Sequence, residues 1–138
     1  MASTQLICIV DDDADYRFLV QHLLNRYFPA YSVLGFTNGK EFLAQLPQMS
    51  HRPDLILLDR HMPELDGHQT LLRLKQHPDY SLIPVVMMSA HASAAEVQGC
   101  YEAGVNSFLM KPVGSESLKE IISTVFHYWL GLNRPAVY

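Results

Sequence analysis

The sequence predicts an α/β fold in which a five-stranded parallel sheet is wound on both faces by five helices. Short apolar runs alternate with amphipathic segments five times along the 138 residues, as parallel strands joined by crossover helices require. Three of the runs, at residues 6–10, 55–58 and 85–88, are continuously apolar. Strands covered on both faces have this character, so these runs predict the centre of a doubly wound sheet.

Local signals define the elements of the first half. Asp13 precedes the first helix, which carries Phe18, Leu19, His22, Leu23 and Leu24. Residues 31–36 form a weaker second strand, and Asn38-Gly39 begins a short second helix. Pro53 then introduces the third strand.

The second half contains the remaining elements, predicted as a third helix at 67–76, a fourth strand after Pro84, a fourth helix ending near Gly104, a fifth strand at 108–110 and a fifth helix at 115–130. The third helix ends before His77-Pro78, because proline cannot continue the hydrogen-bond ladder. Ser93 lies three residues before Glu96, the spacing of a capping box, and therefore marks the start of the fourth helix.

Composition limits the classes of protein that the chain can represent. Its length suits one domain with one core. The formal charge is −4, and the ten Lys and Arg residues form no basic stripe, so binding to nucleic acid or to a membrane surface is not expected. No signal peptide or spanning segment can be drawn, which predicts a cytoplasmic protein. Cys8 and Cys100 are predicted as buried, reduced thiols.

Polar residues follow four of the predicted strands at their carboxyl ends. Asp59 ends the third strand, Asp11 and Asp12 follow the first, Ser89 follows the fourth and Lys111 follows the fifth. Ligands of open parallel sheets bind at this edge, so the pattern predicts one shared polar site. For any single Asp or Ser, a cap for the next helix is an equally good interpretation.

Two metal-site patterns are rejected. Asp11, Asp13 and Asp15 alternate like the start of a calcium loop, but Tyr16 and His22 occupy the positions where that loop requires glycine and glutamate. Asp13 is therefore predicted to cap the first helix, with contact to a metal as the second alternative. No two of the seven histidines lie at ligand spacing on a predicted helix, so a zinc site is not expected.

Four segments carry a resemblance to a known family: VDDDADYR, LLDRHMPELDG, MMSAH and FLMKP. With them, the chain resembles a response-regulator receiver domain of the CheY-like superfamily from Leu6 to about Leu130. The resemblance implies a flavodoxin-like sheet with strand order 2-1-3-4-5. It also implies one receiver domain over residues 1–138, with a core at about 6–130, a short tail at 131–138 and no output domain. Stand-alone regulators of this kind include those associated with bacterial phytochromes.

The resemblance implies a role for each matching residue. Asp59 matches the phosphoacceptor, Lys111 the family's lysine, Ser89 the switch hydroxyl and Phe108 the switch aromatic. The implied metal ligands are Asp11, Asp12, Asp59 and the backbone carbonyl of His61. The implied tuning residues are His61 and His91, and the bond before Pro112 is expected to be cis.

Electrostatics explain why this site needs a cation. Three crowded carboxylates repel one another, which raises their pKa values and makes them poor nucleophiles. Mg²⁺, for which Mn²⁺ can substitute, prefers such oxygen ligands and with Lys111 would neutralise the three charges. A histidine kinase or histidine phosphotransfer protein would then donate a phosphoryl group to Asp59. The protein would catalyse its own phosphorylation and dephosphorylation, and would not be a turnover enzyme.

The two tuning histidines suggest a pH effect. Unperturbed imidazole titrates at about 6.5, so His61 and His91 could make phosphate loss pH-dependent near neutrality. The alternative, that both are solvent-facing loop residues, is at least as well supported by the sequence.

The output is expected at the surface of the fourth helix, fifth strand and fifth helix. Ser89 and Phe108 would couple this surface to the phosphate. The fifth helix carries an apolar stripe formed by Leu118, Ile122, Val125, Trp129 and Leu132, which predicts a homodimer interface or a docking surface for an unknown downstream protein. A core helix with a few exposed apolar residues is the alternative.

Two other functions share this architecture. A haloacid-dehalogenase-type phosphatase would use Asp11 as its nucleophile, but that family needs a further acidic pair after the lysine, and here only Glu116 and Glu120 follow, within a helix. A flavodoxin-like electron carrier needs phosphate-binding donors after the first strand, where this chain has three aspartates.

Overall fold

The computed structural model describes residues 5–136 and contains the predicted parallel sheet. Its strands are β1 (Leu6–Val10), β2 (Ser32–Phe36), β3 (Leu55–Asp59), β4 (Val85–Ser89) and β5 (Ser107–Met110). All neighbours pair in parallel, in the order β2-β1-β3-β4-β5. The expected strand order is therefore confirmed.

Five α-helices connect and follow the strands: α1 (Ala14–Tyr27), α2 (Gly39–Gln45), α3 (Gly67–Gln76), α4 (Ala94–Glu102) and α5 (Ser115–Phe126). A short 3₁₀ turn (Leu46–Gln48) extends α2. Asp13 caps α1 by accepting hydrogen bonds from the backbone N–H groups of Asp15 and Tyr16, as predicted. The capping box of Ser93 and Glu96 begins α4, also as predicted.

The sheet has a core on each face because successive residues of a strand point to opposite sides. Cys8 and Val10 of β1 pack with residues of α2, α3 and α4, whereas Ile7 and Ile9 pack with residues of α1 and α5. The thiols of Cys8 and Cys100 are both free and buried, and burial raises the pKa of Cys8 to about 12. This agrees with their prediction as packed hydrophobes.

Two expectations about the helices need correction. The fifth helix was expected to run from 115 to 130, but α5 ends at Phe126 and the chain continues as a π-helical segment (His127–Leu132). The wider π winding changes the angular spacing of the side chains, so Leu132, which was counted on the apolar stripe, is 63% exposed. Phe18, counted among the apolar positions of α1, is 71% exposed.

The weak signal of the second strand has a structural explanation. β2 lies at the edge of the sheet and, apart from Phe36, its residues are exposed or half-buried. An edge strand has less apolar contact to make than β1, β3 and β4, all of whose residues are buried. Among residues 5–136, no helix is both long enough and apolar enough to span a membrane.

Candidate phosphoacceptor site

The strand register brings four polar residues to one edge of the sheet. Val10 pairs with Leu58, so Asp11 comes level with Asp59 on the neighbouring strand. Ser89 ends β4, and Lys111 follows the last residue of β5. The backbone N–H of Lys111 donates to the Ser89 carbonyl at 2.7 Å, which fixes the lysine beside the end of β4.

The acidic cluster consists of Asp11, Asp12 and Asp59. Each offers one carboxylate oxygen, and these oxygens lie within 4.8 Å of one another. Asp11 is 2% exposed and Asp59 is 7% exposed, whereas Asp12 faces solvent. Three oxygen donors in this arrangement fit a hard divalent cation such as Mg²⁺ or Mn²⁺, which retains water at its remaining positions.

Lys111 provides the positive charge of the site. Its Nζ atom lies 2.7 Å from Oδ2 of Asp11 and 3.3 Å from Oδ1 of Asp59, and 4.3 Å from the centre of the Tyr16 ring. Burial lowers the pKa of the ammonium, but the hydrogen bond and charge of Asp11, followed by those of Asp59, outweigh it and hold the pKa above its usual value. The Lys111 side chain therefore keeps its proton, and its positive charge, more firmly than an ordinary lysine.

The carboxylate of Asp59 is harder to ionise than that of an ordinary aspartate. Burial, and then the negative charge of Asp11, raise its pKa from 3.8 to about 6, although Lys111 acts in the opposite direction. Both oxygens of Asp11 are occupied inside the protein, since Oδ1 accepts from the backbone N–H of Asp13 and Oδ2 from Lys111. The two acids therefore differ in environment although they are neighbours.

Ser89 and the two predicted tuning histidines form a second group beside the acids. The Ser89 hydroxyl is buried and donates to the backbone carbonyl of His91. Its oxygen lies 3.1 Å from Nδ1 of His61. The rings of His61 and His91 stack, with centroids 5.1 Å apart and planes 17° apart. His91 is exposed and His61 half-buried, so His61 is more than a solvent-facing loop residue.

Two residues of the site were missed by sequence reasoning. Glu96 was predicted only as a helix cap, but its Oε2 atom also lies 2.6 Å from Nε2 of His61. Arg60 lies 3.3 Å from Asp66 and 3.7 Å from Glu96 and so connects the loop after β3 with the starts of α3 and α4. The hydrogen bond from the backbone N–H of Ser93, followed by that from His61, lowers the pKa of Glu96 to about 2.

The loop after Asp59 depends on Gly67. Its N–H donates to the carbonyl of Arg60 at 3.0 Å. A Cβ atom at residue 67 would lie 2.2 Å from the carbonyl oxygen of Asp59, and this neighbour is backbone that cannot rotate away. Gly67 therefore lets α3 begin directly against the end of β3.

Phe108 and Pro112 lie outside these two groups. Phe108 is half-buried against the core formed with α2, α3 and α4, and its backbone N–H donates to the hydroxyl of Tyr101 at 3.1 Å. The expectation of a cis bond before Pro112 is wrong in this structure, because the bond between Lys111 and Pro112 is trans. Trans is the more stable form of most X-Pro bonds.

A separate apolar groove of about 410 Å³ lies on the surface of β5 and α5. Its lining residues are Ser107, Leu109, Glu120, Ile121, Thr124, Val125, Tyr128 and Trp129. Tyr128 is exposed, and its ring meets that of Trp129 edge to face at 4.8 Å. Part of the predicted apolar stripe thus lines a surface groove, while Leu118 and Ile122 are buried in the core.

The chain matches the family model of the response regulator receiver domain over residues 7–123. It is 31% identical over 140 residues to the probable methanogenesis regulatory protein FilR2 of Methanothrix harundinacea, a match covering 94% of this chain and 86% of that protein. It is 32% identical over 130 residues to the response regulator Rcp1 of Synechocystis, covering 91% and 88%.

Solved structures of response regulators are also similar to this chain. The phosphorylated cyanobacterial phytochrome response regulator RcpA gives a TM-score of 0.90 at 28% identity, with 98% of this chain and 100% of that chain covered. The Mn²⁺-bound form of Rcp1 gives a TM-score of 0.86 at 30% identity, with 96% and 99% covered.

Proposed function

The chain belongs to the response regulator receiver domain family, and on that premise we propose that it is a phosphorelay regulator whose phosphoacceptor is Asp59. The observation that carries the proposal is the convergence of Asp59, Asp11, Asp12 and Lys111 at one edge of the sheet. The proposed donor is a histidine kinase or a histidine phosphotransfer protein. A cytoplasmic location is part of the same proposal.

In the proposed reaction, a carboxylate oxygen of Asp59 attacks the phosphorus of a phosphohistidine. The new P–O bond forms as the P–N bond of the donor breaks, and the donor imidazole leaves with the electron pair and takes up a proton. The product is a mixed carboxylic–phosphoric anhydride. Attack of water on phosphorus later returns the carboxylate and releases inorganic phosphate, so the modification is transient.

The proposed metal ligands are the carboxylates of Asp11, Asp12 and Asp59 and the backbone carbonyl of His61. The three carboxylates and Lys111 carry a formal charge of −2, since −3 and +1 are added. A bound divalent cation would neutralise this charge and allow a phosphoryl group to approach. The existence of a Mn²⁺-bound form of Rcp1, which is similar to this chain, supports the binding of a divalent ion.

Lys111 and Ser89 are the proposed partners of the phosphoryl oxygens. Lys111 has an ammonium already within 3.3 Å of Asp59, so a small turn away from Asp11 would let it pair with the added group. Ser89 would donate its hydroxyl hydrogen to a second oxygen once that hydrogen leaves the His91 carbonyl.

Asp59 is favoured over the alternative nucleophile Asp11 of a haloacid-dehalogenase-type phosphatase. Both oxygens of Asp11 accept hydrogen bonds within the protein, which lowers their nucleophilicity. The chain is also proposed to act through its modified state and not through turnover of a substrate.

The proposed output surface consists of α4, β5 and α5. Movement of the Ser89 hydroxyl would free space for the Phe108 ring, whose backbone is attached to α4 through Tyr101. The groove between β5 and α5 is the proposed binding site for a second copy of the chain. Its lining is largely apolar and includes the exposed Tyr128, so a second copy packed symmetrically against it would remove this apolar surface from water.

The experiment that tests the proposal is incubation with acetyl phosphate and Mg²⁺, followed by intact-protein mass spectrometry. Wild type should gain one phosphoryl group, and Asp59→Asn should gain none. Asp79→Asn, which changes an exposed aspartate outside the acidic cluster, is the matched control and should label like wild type. Labelling of Asp59→Asn at the wild-type level would redirect the assignment of the nucleophile to Asp11 or Asp13.

A further inference from the structure

The side chain of Met110 is open to solvent at the end of β5. Met110 is 48% exposed, whereas Met62, Met87 and Met88 are at most 8% exposed. Met49 is half-buried. Among the methionines of residues 5–136, Met110 is therefore the one that a dissolved oxidant reaches most easily.

Met110 lies on the face of β5 that is turned towards α4. Successive residues of a strand point to opposite faces, so Met110 shares a face with Phe108, which packs against the core formed with α2, α3 and α4. Leu109 points to the other face and lines the groove on β5 and α5. Tyr101 of α4 is 49% exposed, and its hydroxyl accepts from the backbone N–H of Phe108. Met110 and Tyr101 therefore both add exposed apolar area to the α4–β5 side of the proposed output surface.

The backbone next to Met110 belongs to the phosphoacceptor site. Met110 pairs with Ser89 in the strand register, and the N–H of Lys111 donates to the Ser89 carbonyl at 2.7 Å. Ser89 is fully buried and the side chain of Lys111 is 14% exposed, so the protein encloses both of them, whereas the Met110 side chain is open. An oxygen atom added to the Met110 sulfur therefore has room in solvent and displaces neither residue.

A peroxide converts a thioether into a sulfoxide by transferring one oxygen atom. The sulfur lone pair forms the new S–O bond while the O–O bond breaks, so sulfur is oxidised and hydrogen peroxide is reduced to water. The product is polar and accepts hydrogen bonds, and methionine sulfoxide reductases return it to the thioether. This change disrupts a packed core, but an exposed sulfoxide remains hydrated and leaves the fold intact.

We propose that Met110 is a site of reversible oxidation by a peroxide, and that its sulfoxide makes the α4–β5 side of the output surface more polar while the phosphoacceptor site keeps its function. The inference rests on the proposed output surface, but its oxidation step does not depend on Asp59. It gives this surface a chemical input that is separate from phosphorylation.

The first test is a time course with hydrogen peroxide in EDTA, stopped with catalase and followed by peptide mass spectrometry. Met110 should gain one oxygen atom at least about five-fold faster than Met62, Met87 or Met88, in line with their exposed fractions. It should also react faster than Met49. Met1 lies outside the described residues, and its separate peptide keeps its oxidation apart from that of Met110.

The second test compares the protein surface before and after oxidation by hydrophobic interaction chromatography. Protein that carries one oxygen at Met110 should elute earlier than the reduced protein, and methionine sulfoxide reductase should restore the original position. Met110→Leu should lose most of this shift, whereas Met49→Leu, the matched control, should show it in full. Met110→Gln, which places a polar amide near the position of the sulfoxide, should elute early without peroxide.

The third test measures the phosphoacceptor site after the modification. Protein oxidised at Met110 alone and the Met110→Gln variant should both gain one phosphoryl group from acetyl phosphate and Mg²⁺, as reduced wild type does. Their midpoints of thermal unfolding should match that of reduced wild type, because the added polar group is in solvent.

Three results would overturn the inference. They are oxidation of a buried methionine as fast as that of Met110, an unchanged elution position after oxidation at Met110, and loss of phosphoryl uptake in protein oxidised at Met110 alone. Failure of reduced wild type to take up phosphate would instead remove the proposed function of Asp59, and the oxidation rates and elution positions would still decide for or against Met110.

Discussion

The Nζ atom of Lys111 lies closer to Asp11 than to Asp59, at 2.7 Å against 3.3 Å. Asp11 is almost completely buried, so this ammonium is the main compensation for its charge. Lys111→Met keeps most of the side-chain volume but leaves Asp11 as an uncompensated buried anion. We expect a loss of about 3 kcal/mol in the free energy of unfolding without metal, measured by urea denaturation in EDTA.

Lys119→Met is the control for removal of a lysine. The Nζ atom of Lys119 lies 4.0 Å from the centre of the Tyr27 ring, a surface contact worth about 0.5–1 kcal/mol. Addition of Mg²⁺ should stabilise Lys111→Met more than wild type, because the variant cluster is more negative. A loss in Lys111→Met no larger than in Lys119→Met would contradict this account of the site.

Asp59→Asn should stabilise the metal-free protein at neutral pH. The pKa of Asp59 is raised from 3.8 to about 6 in the folded state, so the folded protein holds this proton to higher pH than the unfolded chain does. Between these two values, raising the pH therefore lowers the stability of wild type. Asparagine does not titrate, and its advantage should grow from near zero at about pH 4 to about 2–3 kcal/mol above pH 6.

This pH profile is measured by denaturant unfolding in EDTA across the window. Saturating Mg²⁺ should reduce the advantage of Asp59→Asn, because the cation compensates the wild-type carboxylate. A variant that is less stable than wild type at pH 7 would show that burial and the charge of Asp11 do not disfavour the ionised carboxylate of Asp59.

The sequence predicted the strands and the acidic site together, for one physical reason. Continuous apolar runs mark strands that are buried on both faces, and in a parallel sheet all their carboxyl ends lie at one edge. Asp11 and Lys111 are 100 residues apart in the chain, yet each follows a predicted strand of the same parallel sheet, so their meeting required no knowledge of loop conformations. Asp59 and Ser89 were found in the same way.

The missed features depend on side-chain geometry that no local pattern encodes. Glu96 and His61 lie 35 residues apart, and the capping-box spacing already accounted for the glutamate. The change from α to π winding after Phe126 was equally hidden, because the apolar character of the segment continues through Trp129 and Leu132. Neither loop direction nor helix winding follows from apolar periodicity.

Gly67→Ala should damage the site through the backbone. The added methyl group would lie 2.2 Å from the Asp59 carbonyl oxygen and 2.8 Å from the Cα atom of Arg60, so α3 and the end of β3 must separate. We expect a loss of about 2–4 kcal/mol in unfolding free energy together with slower phosphorylation by acetyl phosphate.

Gly99→Ala is a matched substitution within a helix. Its added methyl group would meet only His68 Nε2, at 3.9 Å, so the variant should be neutral or up to about 1 kcal/mol more stable than wild type. Equal stability of Gly67→Ala and Gly99→Ala would mean that the loop after Asp59 moves to accommodate the added methyl group without a loss in unfolding free energy.

The groove on β5 and α5 yields a prediction about assembly. Trp129→Ala removes a large part of its apolar lining, while Phe18→Ala removes an aromatic side chain that is exposed on α1 and lies outside the groove. If two copies cover each other's groove, wild type with beryllofluoride and Mg²⁺ should form a dimer in sedimentation velocity experiments, and Trp129→Ala should shift it towards monomer. Loss of an aromatic side chain from the centre of an interface commonly weakens binding by about 2 kcal/mol or more, or roughly 30-fold.

Phe18→Ala should dimerise like wild type. A wild-type protein that stays monomeric at all concentrations, or a dimer that Trp129→Ala leaves unchanged, would exclude self-association through this groove.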